Sequence, residues 1–210
     1  MTGLRIDSID EPFLANPSLV EQALRLLLRA EYVGCLPDLA AAIVLGPEVL
    51  RSVGRCMQHA QLPSARWSFL TGPEADLSPA QWRTALTAMN DQIEMSPLPD
   101  GEWGPVLSTL GEDLVADLLG ISASSIRRYH AGARSTPQEI AERLHFVALL
   151  LADLAGSYND YGLRRWFTRP RTALADRRPI ELLGGNFDPD GPDAHALKEL
   201  AASLSAAGAA

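Results

Sequence analysis

EDLVADLLGISASSIRRYHAG, residues 112–132, has the spacing of two short helices joined by a tight turn. Ala116 is small where the helices would cross. Gly120, four residues on, takes a positive backbone angle without steric cost. Ile126 would plug the second helix into the first, with Val115, Leu119, Ile121 and Tyr129 closing a small core. Ser122 is the expected N-cap of the second helix, and Gly132 its left-handed stop. This is the pattern of a helix-turn-helix. It leaves Ser122, Ser124, Ser125, Arg127 and Arg128 facing outward, with Arg134 just beyond, a set suited to phosphates and base edges. An αα-hairpin with no nucleic-acid role has the same spacing.

Working outward, Thr136-Pro137-Gln138-Glu139 combines a capping box with proline at the first helical position. It predicts the longest helix of the chain, to about Ala155, with Ile140, Leu144, Val147, Leu151 and Leu154 buried and Gly156 as the stop. On that helix His145 follows Glu142 by one turn, which predicts a surface hydrogen bond. Upstream, Trp103 to Leu110 reads as the first helix of the same bundle. Ser96-Pro97-Leu98-Pro99-Asp100-Gly101 reads as a boundary. The bundle is therefore expected over residues 96–156.

Residues 1–95 read as an all-helical unit after a polar lead, with no convincing strand alternation. Helices are expected over about 17–32, 37–45, 48–60 and 79–95, each with an apolar stripe such as Trp82, Leu86, Met89 and Ile93. Ala42 and Gly46 repeat the small-residue spacing of the helix-turn-helix, but Ser52 stands where an apolar plug is needed, so ordinary helix packing is the reading. The sequence assigns this unit no task beyond a default of dimerisation or docking.

The chain of 210 residues carries a net charge of −8, unusual for a nucleic-acid binder if the charge were evenly spread. It is not. Residues 96–155 hold 4 arginines against 8 acids, whereas residues 156–186 hold 6 arginines against 3 acids. Lys198 is the only lysine. Cys35 and Cys56 form no CxxC and no disulfide framework. The N-terminus lacks an apolar signal core and no apolar run approaches the roughly 20 residues of a membrane span, so a cytoplasmic protein without membrane contact is expected. No nucleophile elbow, P-loop or dinucleotide fingerprint is present. The four histidines are scattered, and Asp188, Asp190, Asp193 and Glu199 break the calcium-loop pattern at Pro192 and Asp193. An enzyme is not expected, nor any cofactor, catalytic residue or metal site.

From Tyr158 the segments shorten, punctuated by Gly162, Pro170, Pro179 and Gly184-Gly185. Trp166, Phe167, Leu174, Ile180, Leu182 and Leu183 are the candidate core of a small helical module, and Asp193 is the expected cap of a last helix bearing Ala196, Leu197, Leu200 and Leu204. Trp166, then Pro170, Ala173-Leu174, and Pro179 followed by Leu182-Leu183 resemble the C-terminal toxin-binding domain of the Xre/MbcA/ParS antitoxin family. A small module after an Xre-like helix-turn-helix is also that family's order. The resemblance covers about residues 103–205; Arg171 and Asp176 stand where the family carries asparagine and glycine.

The resemblance implies an antitoxin that binds a RES-domain toxin, an NAD-consuming or ADP-ribosylating enzyme, and represses its own operon. The expected architecture is all-α: the unit 1–95, the helix-turn-helix bundle 96–156 and a toxin-binding module 157–210. Ser122, Ser124, Ser125, Arg127, Arg128 and Arg134 are the expected contacts to operator DNA. Arg164, Arg165, Trp166, Arg169, Pro170, Arg171, Arg177 and Arg178 are the expected partner contacts, in a homodimer or higher assembly. A solitary helix-turn-helix regulator, or an interaction adaptor with no toxin partner, is the alternative.

Overall fold

The computed structural model describes residues 4–36, 43–72 and 77–208, with side chains to Leu204. Among them are ten α-helices and two short strands, an all-α fold. The chain divides between Ser96 and Pro97 into two compact units.

The first unit contains β1 (Ile6–Ile9), α1 (Pro17–Tyr32), β2 (Ile43–Leu45), α2 (Pro47–His59), a 3₁₀ turn at Ser68–Thr71 and α3 (Pro79–Glu94). The expected stripes are the buried ones: Leu19, Ala23, Leu26, Leu27 and Ala30 on α1, and Trp82, Leu86, Met89 and Ile93 on α3. Ser78 caps α3, and its N–H donates to the Gln81 side chain at 2.9 Å. Arg29, buried on α1, donates to the Asn90 carbonyl and to the Glu94 carboxylate on α3. The strands correct the sequence reading. Residues 6–9 are not a mere polar lead, and 43–45 are extended rather than helical; residues 37–42 of that expected helix lie outside the described set. β1 and β2 pair in parallel, with Ile6 opposite Ile43 and Ile9 opposite Leu45. Strands of 4 and 3 residues are too short to show alternation. Because Gly46 follows a strand, the Gly46–Ser52 spacing does not belong to a second helix pair.

The second unit contains α4 (Pro99–Leu110), α5 (Glu112–Leu119), α6 (Ala123–His130), α7 (Gln138–Ala155), α8 (Asp160–Thr168), a 3₁₀ turn at Thr172–Leu174, α9 (Pro179–Leu183) and α10 (Pro192–Gly208). The unbroken run His145–Ala152 of α7 is buried, as a helix apolar all round must be. It packs against α4, α5, α8 and α10. The segments 97–156 and 157–208 are therefore parts of one compact body.

Four local expectations are corrected here. The first helix starts at Pro99 rather than Trp103: proline suits the first helical position, and the Leu98 N–H donates to the carboxylate of Glu102 at 3.0 Å. That carboxylate is fully buried, and its Oε1 lies 2.6 Å from Nδ1 of His145. His145 is thus an interior group tied to α4, while Glu142 at the surface accepts from Gln138. Thr136 builds no capping box; Pro137 is the N-cap of α7 and the Thr136 hydroxyl accepts from the indole N–H of Trp103 at 3.0 Å. Asp193 lies inside the first turn of α10, where it pairs with Arg177, and the helix buries Ala194, Leu197 and Ala201.

The α5–α6 pair has the predicted punctuation. Gly120 is left-handed at φ 65°, the Ser122 hydroxyl accepts the Ser125 N–H at 3.2 Å, and Gly132 is left-handed at φ 66°. Val115, Leu119, Ile126 and Tyr129 are buried, and Ile121 is half-buried. Gly120 answers a second demand that its spacing did not announce. A Cβ there would lie 2.2 Å from the carbonyl oxygen of Gly185, so the two backbones are in direct contact. Arg143 on α7 fixes the other side of this contact, donating to the carbonyls of Gly185 and Phe187, each at 3.2 Å, and to the Asn186 side chain at 2.6 Å.

Gly120→Ala should therefore lower unfolding free energy by about 2–4 kcal/mol, combining a left-handed alanine with a backbone clash. Gly132→Ala has the same backbone strain, but a Cβ there meets nothing within 4 Å, so about 1 kcal/mol is expected. Urea unfolding of the two variants checks the difference.

Candidate nucleic-acid and partner interfaces

α6 is held by its inward residues. Ile126 is fully buried, and Tyr129 stacks on Trp103 of α4 with ring centroids 6.0 Å apart. That leaves Ser122, Ser124, Arg127, Arg128 and Arg134 exposed and Ser125 half-buried. These side chains are already engaged with their own surroundings. The Ser122 hydroxyl lies 2.9 Å from that of Ser124 and 3.1 Å from that of Ser125. Arg128 donates to the Ser124 carbonyl at 3.3 Å and the Ser125 hydroxyl at 3.4 Å. Arg134 lies over the Tyr129 ring at 5.9 Å. Arg127 forms an ion pair with Glu112 on α5 at 2.9 Å. Exposed contacts of this kind are weak and exchangeable, so the face presents cations and hydroxyls with a carboxylate competing for one of them.

The second candidate face begins with α8, whose inward side is Leu163, Trp166 and Phe167. Trp166 is fully buried, edge-on to Phe167 at 5.1 Å. It supports the module's interior and offers a partner no surface of its own. Arg171 covers it, with the guanidinium 5.4 Å from the indole and donating to the Trp166 carbonyl. Pro170, between Arg169 and Arg171, is exposed.

Residues 171–177 then fold into a tight loop. The Arg171 N–H donates to the Arg177 carbonyl at 3.1 Å, and the Asp176 N–H to the Arg171 carbonyl at 3.0 Å. Ala175 and Asp176 are successive left-handed residues, at φ 54° and 59°. A left-handed position costs an L-residue about 1–2 kcal/mol, and aspartate tolerates it better than most. Asp176 is the position at which the resembling family carries glycine.

The arginines of this block divide by what they touch. Arg164 donates to the Thr109 carbonyl at 2.6 Å and the Ser108 carbonyl at 3.4 Å, closing the C-terminal end of α4. Arg177 pairs with Asp193 at 3.3 Å. Arg178 donates from its backbone to Glu181 at 2.8 Å and from its Nε at 2.7 Å. The side-chain bond from Arg178, then its backbone N–H, holds the Glu181 carboxyl below its ordinary range. Arg165 lies over the ring of Tyr161 at 5.2 Å and donates to its hydroxyl at 2.7 Å. The Arg169 side chain has no hydrogen-bond or ion-pair partner among the described residues, and its backbone N–H donates to the Arg165 carbonyl at 3.1 Å.

Sequence spacing gave no notice of Glu112 as a competitor for Arg127, of Arg143 as a clamp, or of Tyr161. The first two join residues on different elements, 15 and at least 42 positions apart. Tyr161 carried a local signal, standing one turn before Arg165. Among the described residues, no three His, Cys, Asp or Glu side chains gather as a metal site. No described helix is long and apolar enough to cross a membrane. No family model, curated protein or solved structure matches the chain.

Arg164 has a structural task that Arg169 lacks. Arg164→Ala should lower stability by about 1–2 kcal/mol through the open end of α4, whereas Arg169→Ala should leave it within about 0.5 kcal/mol. Urea unfolding midpoints check both.

Proposed function

We propose that this chain is an antitoxin-like DNA-binding protein that neutralises a RES-domain, NAD-targeting toxin and represses its own operon. The observation that carries the reading is the left-handed backbone at Asp176. The motif from Trp166 to Leu183 resembles the antitoxin module in sequence. The one place where it lacks the family's glycine has the backbone for which glycine is suited. Resemblance and conformation are compatible with one reading of this loop.

The α5–α6 pair supports the operator half of the reading. Its second helix presents Ser122, Ser124, Arg127 and Arg128 outward, the side-chain types that reach phosphates and base edges. One short recognition helix reads few bases, so the reading includes a homodimer on a two-fold operator. The Arg127–Glu112 pair favours the alternative, an interaction adaptor that keeps the helix pair as a scaffold. On the antitoxin reading the same pair lowers DNA affinity without abolishing it.

Co-expression with the product of a neighbouring RES-domain gene tests the toxin partnership through co-purification and growth rescue; absence of such a gene, or failure to bind and rescue, overturns it. For the operator, Arg127→Ala combined with Arg128→Ala should abolish mobility shifts of upstream DNA with an unchanged circular dichroism spectrum. Glu112→Gln should strengthen the shift roughly twofold to fivefold, the range of an exposed ion pair. Unchanged DNA affinity in the double variant favours the adaptor.

A further inference from the structure

Tyr161 is 66% exposed, an unusual position for a large aromatic side chain in a module that buries Trp166 and Phe167 completely. It stands on α8 one turn before Arg165, and Arg169 follows one turn later at the helix end. Tyr161 and Arg165 share the side of the helix away from Leu163, Trp166 and Phe167, and Arg169 is the exposed, extended residue that ends it. The Arg165 guanidinium lies on the Tyr161 ring and gives one N–H to its hydroxyl. Its remaining donors have no acceptor among the described residues, nor has the Arg169 guanidinium, although the Arg169 backbone N–H donates to the Arg165 carbonyl at 3.1 Å. By contrast, Arg177 and Arg178 are neutralised by Asp193 and Glu181. Arg164 and Arg171 also lack a carboxylate partner among the described residues, but they are bonded to backbone carbonyls, so Arg165 is the cation that lies against the exposed tyrosine.

We infer that Tyr161, Arg165 and Arg169 form the anchor by which the chain grips a carboxylate-bearing surface of its protein partner. The inference rests on the toxin-binding reading and adds Tyr161 to its expected contacts, of which Trp166 is fully buried. Tyrosine and arginine are the residue types that concentrate binding energy at protein interfaces. A tyrosine already stacked and bonded by its neighbour loses little side-chain freedom on binding. The free edge of the Arg165 fork fits a carboxylate in two-point fashion. A phosphate backbone would use the charge of Arg165 and Arg169 but leave the exposed Tyr161 ring without a partner, so the acidic protein surface is the better match.

The test is binding of the full-length chain to the RES-domain protein of the same operon, measured by titration calorimetry. Tyr161→Ala and Arg165→Glu should each weaken binding by about tenfold or more, and the wild-type affinity should fall as salt rises. Tyr161→Phe should stay within about threefold, as should Arg25→Ala, an exposed arginine of the first unit. Circular dichroism confirms folding of each variant. If the wild type binds and Tyr161→Ala and Arg165→Glu bind equally well, the α8 anchor is overturned and the toxin partnership stands. If the wild type does not bind, or the operon has no such protein, both are overturned. If the two variants keep the protein partner but lose upstream DNA, the face is a nucleic-acid contact and the anchor is likewise overturned.

Discussion

The second unit depends on a contact between two backbones. Gly120 ends α5 and Gly185 follows α9, and they lie so close that neither tolerates a Cβ without displacement. Both are left-handed, so each is doubly constrained, by conformation and by space. Arg143 satisfies the carbonyls that this approach leaves beside α7. Arginine suits the task because its fork supplies several donors in fixed directions. The result joins the helix pair to the C-terminal segment, where α5 also packs on α9. Phe187, edge-on to Phe146 at 5.2 Å, adds the nearby hydrophobic component.

Polar groups inside the unit follow the same economy. The Glu102 carboxylate is fully buried, yet one oxygen meets both the Leu98 N–H and His145. It therefore organises the start of α4 and the α4–α7 packing at once. At the far end of α4, Arg164 reaches from α8 to the last carbonyls. Buried polar groups are costly unless paired, and here each pairing also fixes the position of an element. The basic block is correspondingly less uniform than its composition suggests: Arg164 and Arg171 support the fold, Arg177 and Arg178 are paired, and Arg165 and Arg169 keep donors in reserve.

The sequence was most informative where structure is local. The stripes of α1 and α3, the cap at Ser122, and the turns at Gly120 and Gly132 involve residues within a few positions of one another, so spacing and propensity specify them. It was least informative where partners are distant. His145 has an acid one turn away on its own helix and chooses another 43 residues upstream. Thr136 has the local pattern of a cap and gives its hydroxyl to Trp103, 33 residues away. β1 and β2 are two brief segments whose pairing spans α1. At the candidate faces, residue type marked the outward positions of α6, but periodicity has no access to whether Arg127 is free or held by Glu112. Trp166 shows the same limit from the other side: its type suits both core and interface, and it is buried in the core.

The charge distribution bears directly on the proposed antitoxin. A chain at net −8 gains no general attraction to DNA, so operator binding on this reading must come from a few local cations. Glu112 competes for one of them, which further suppresses binding to arbitrary sequence, where phosphate contacts supply essentially all the affinity. Base contacts and dimerisation then have to restore affinity at the operator alone. The cost of that arrangement in raw affinity is a gain in discrimination, because the acidic background weakens specific and non-specific sites alike while only the operator regains what it lost. On the same proposed reading, Arg165 beside the exposed Tyr161 is where an acidic partner would dock, even though the molecule as a whole repels it.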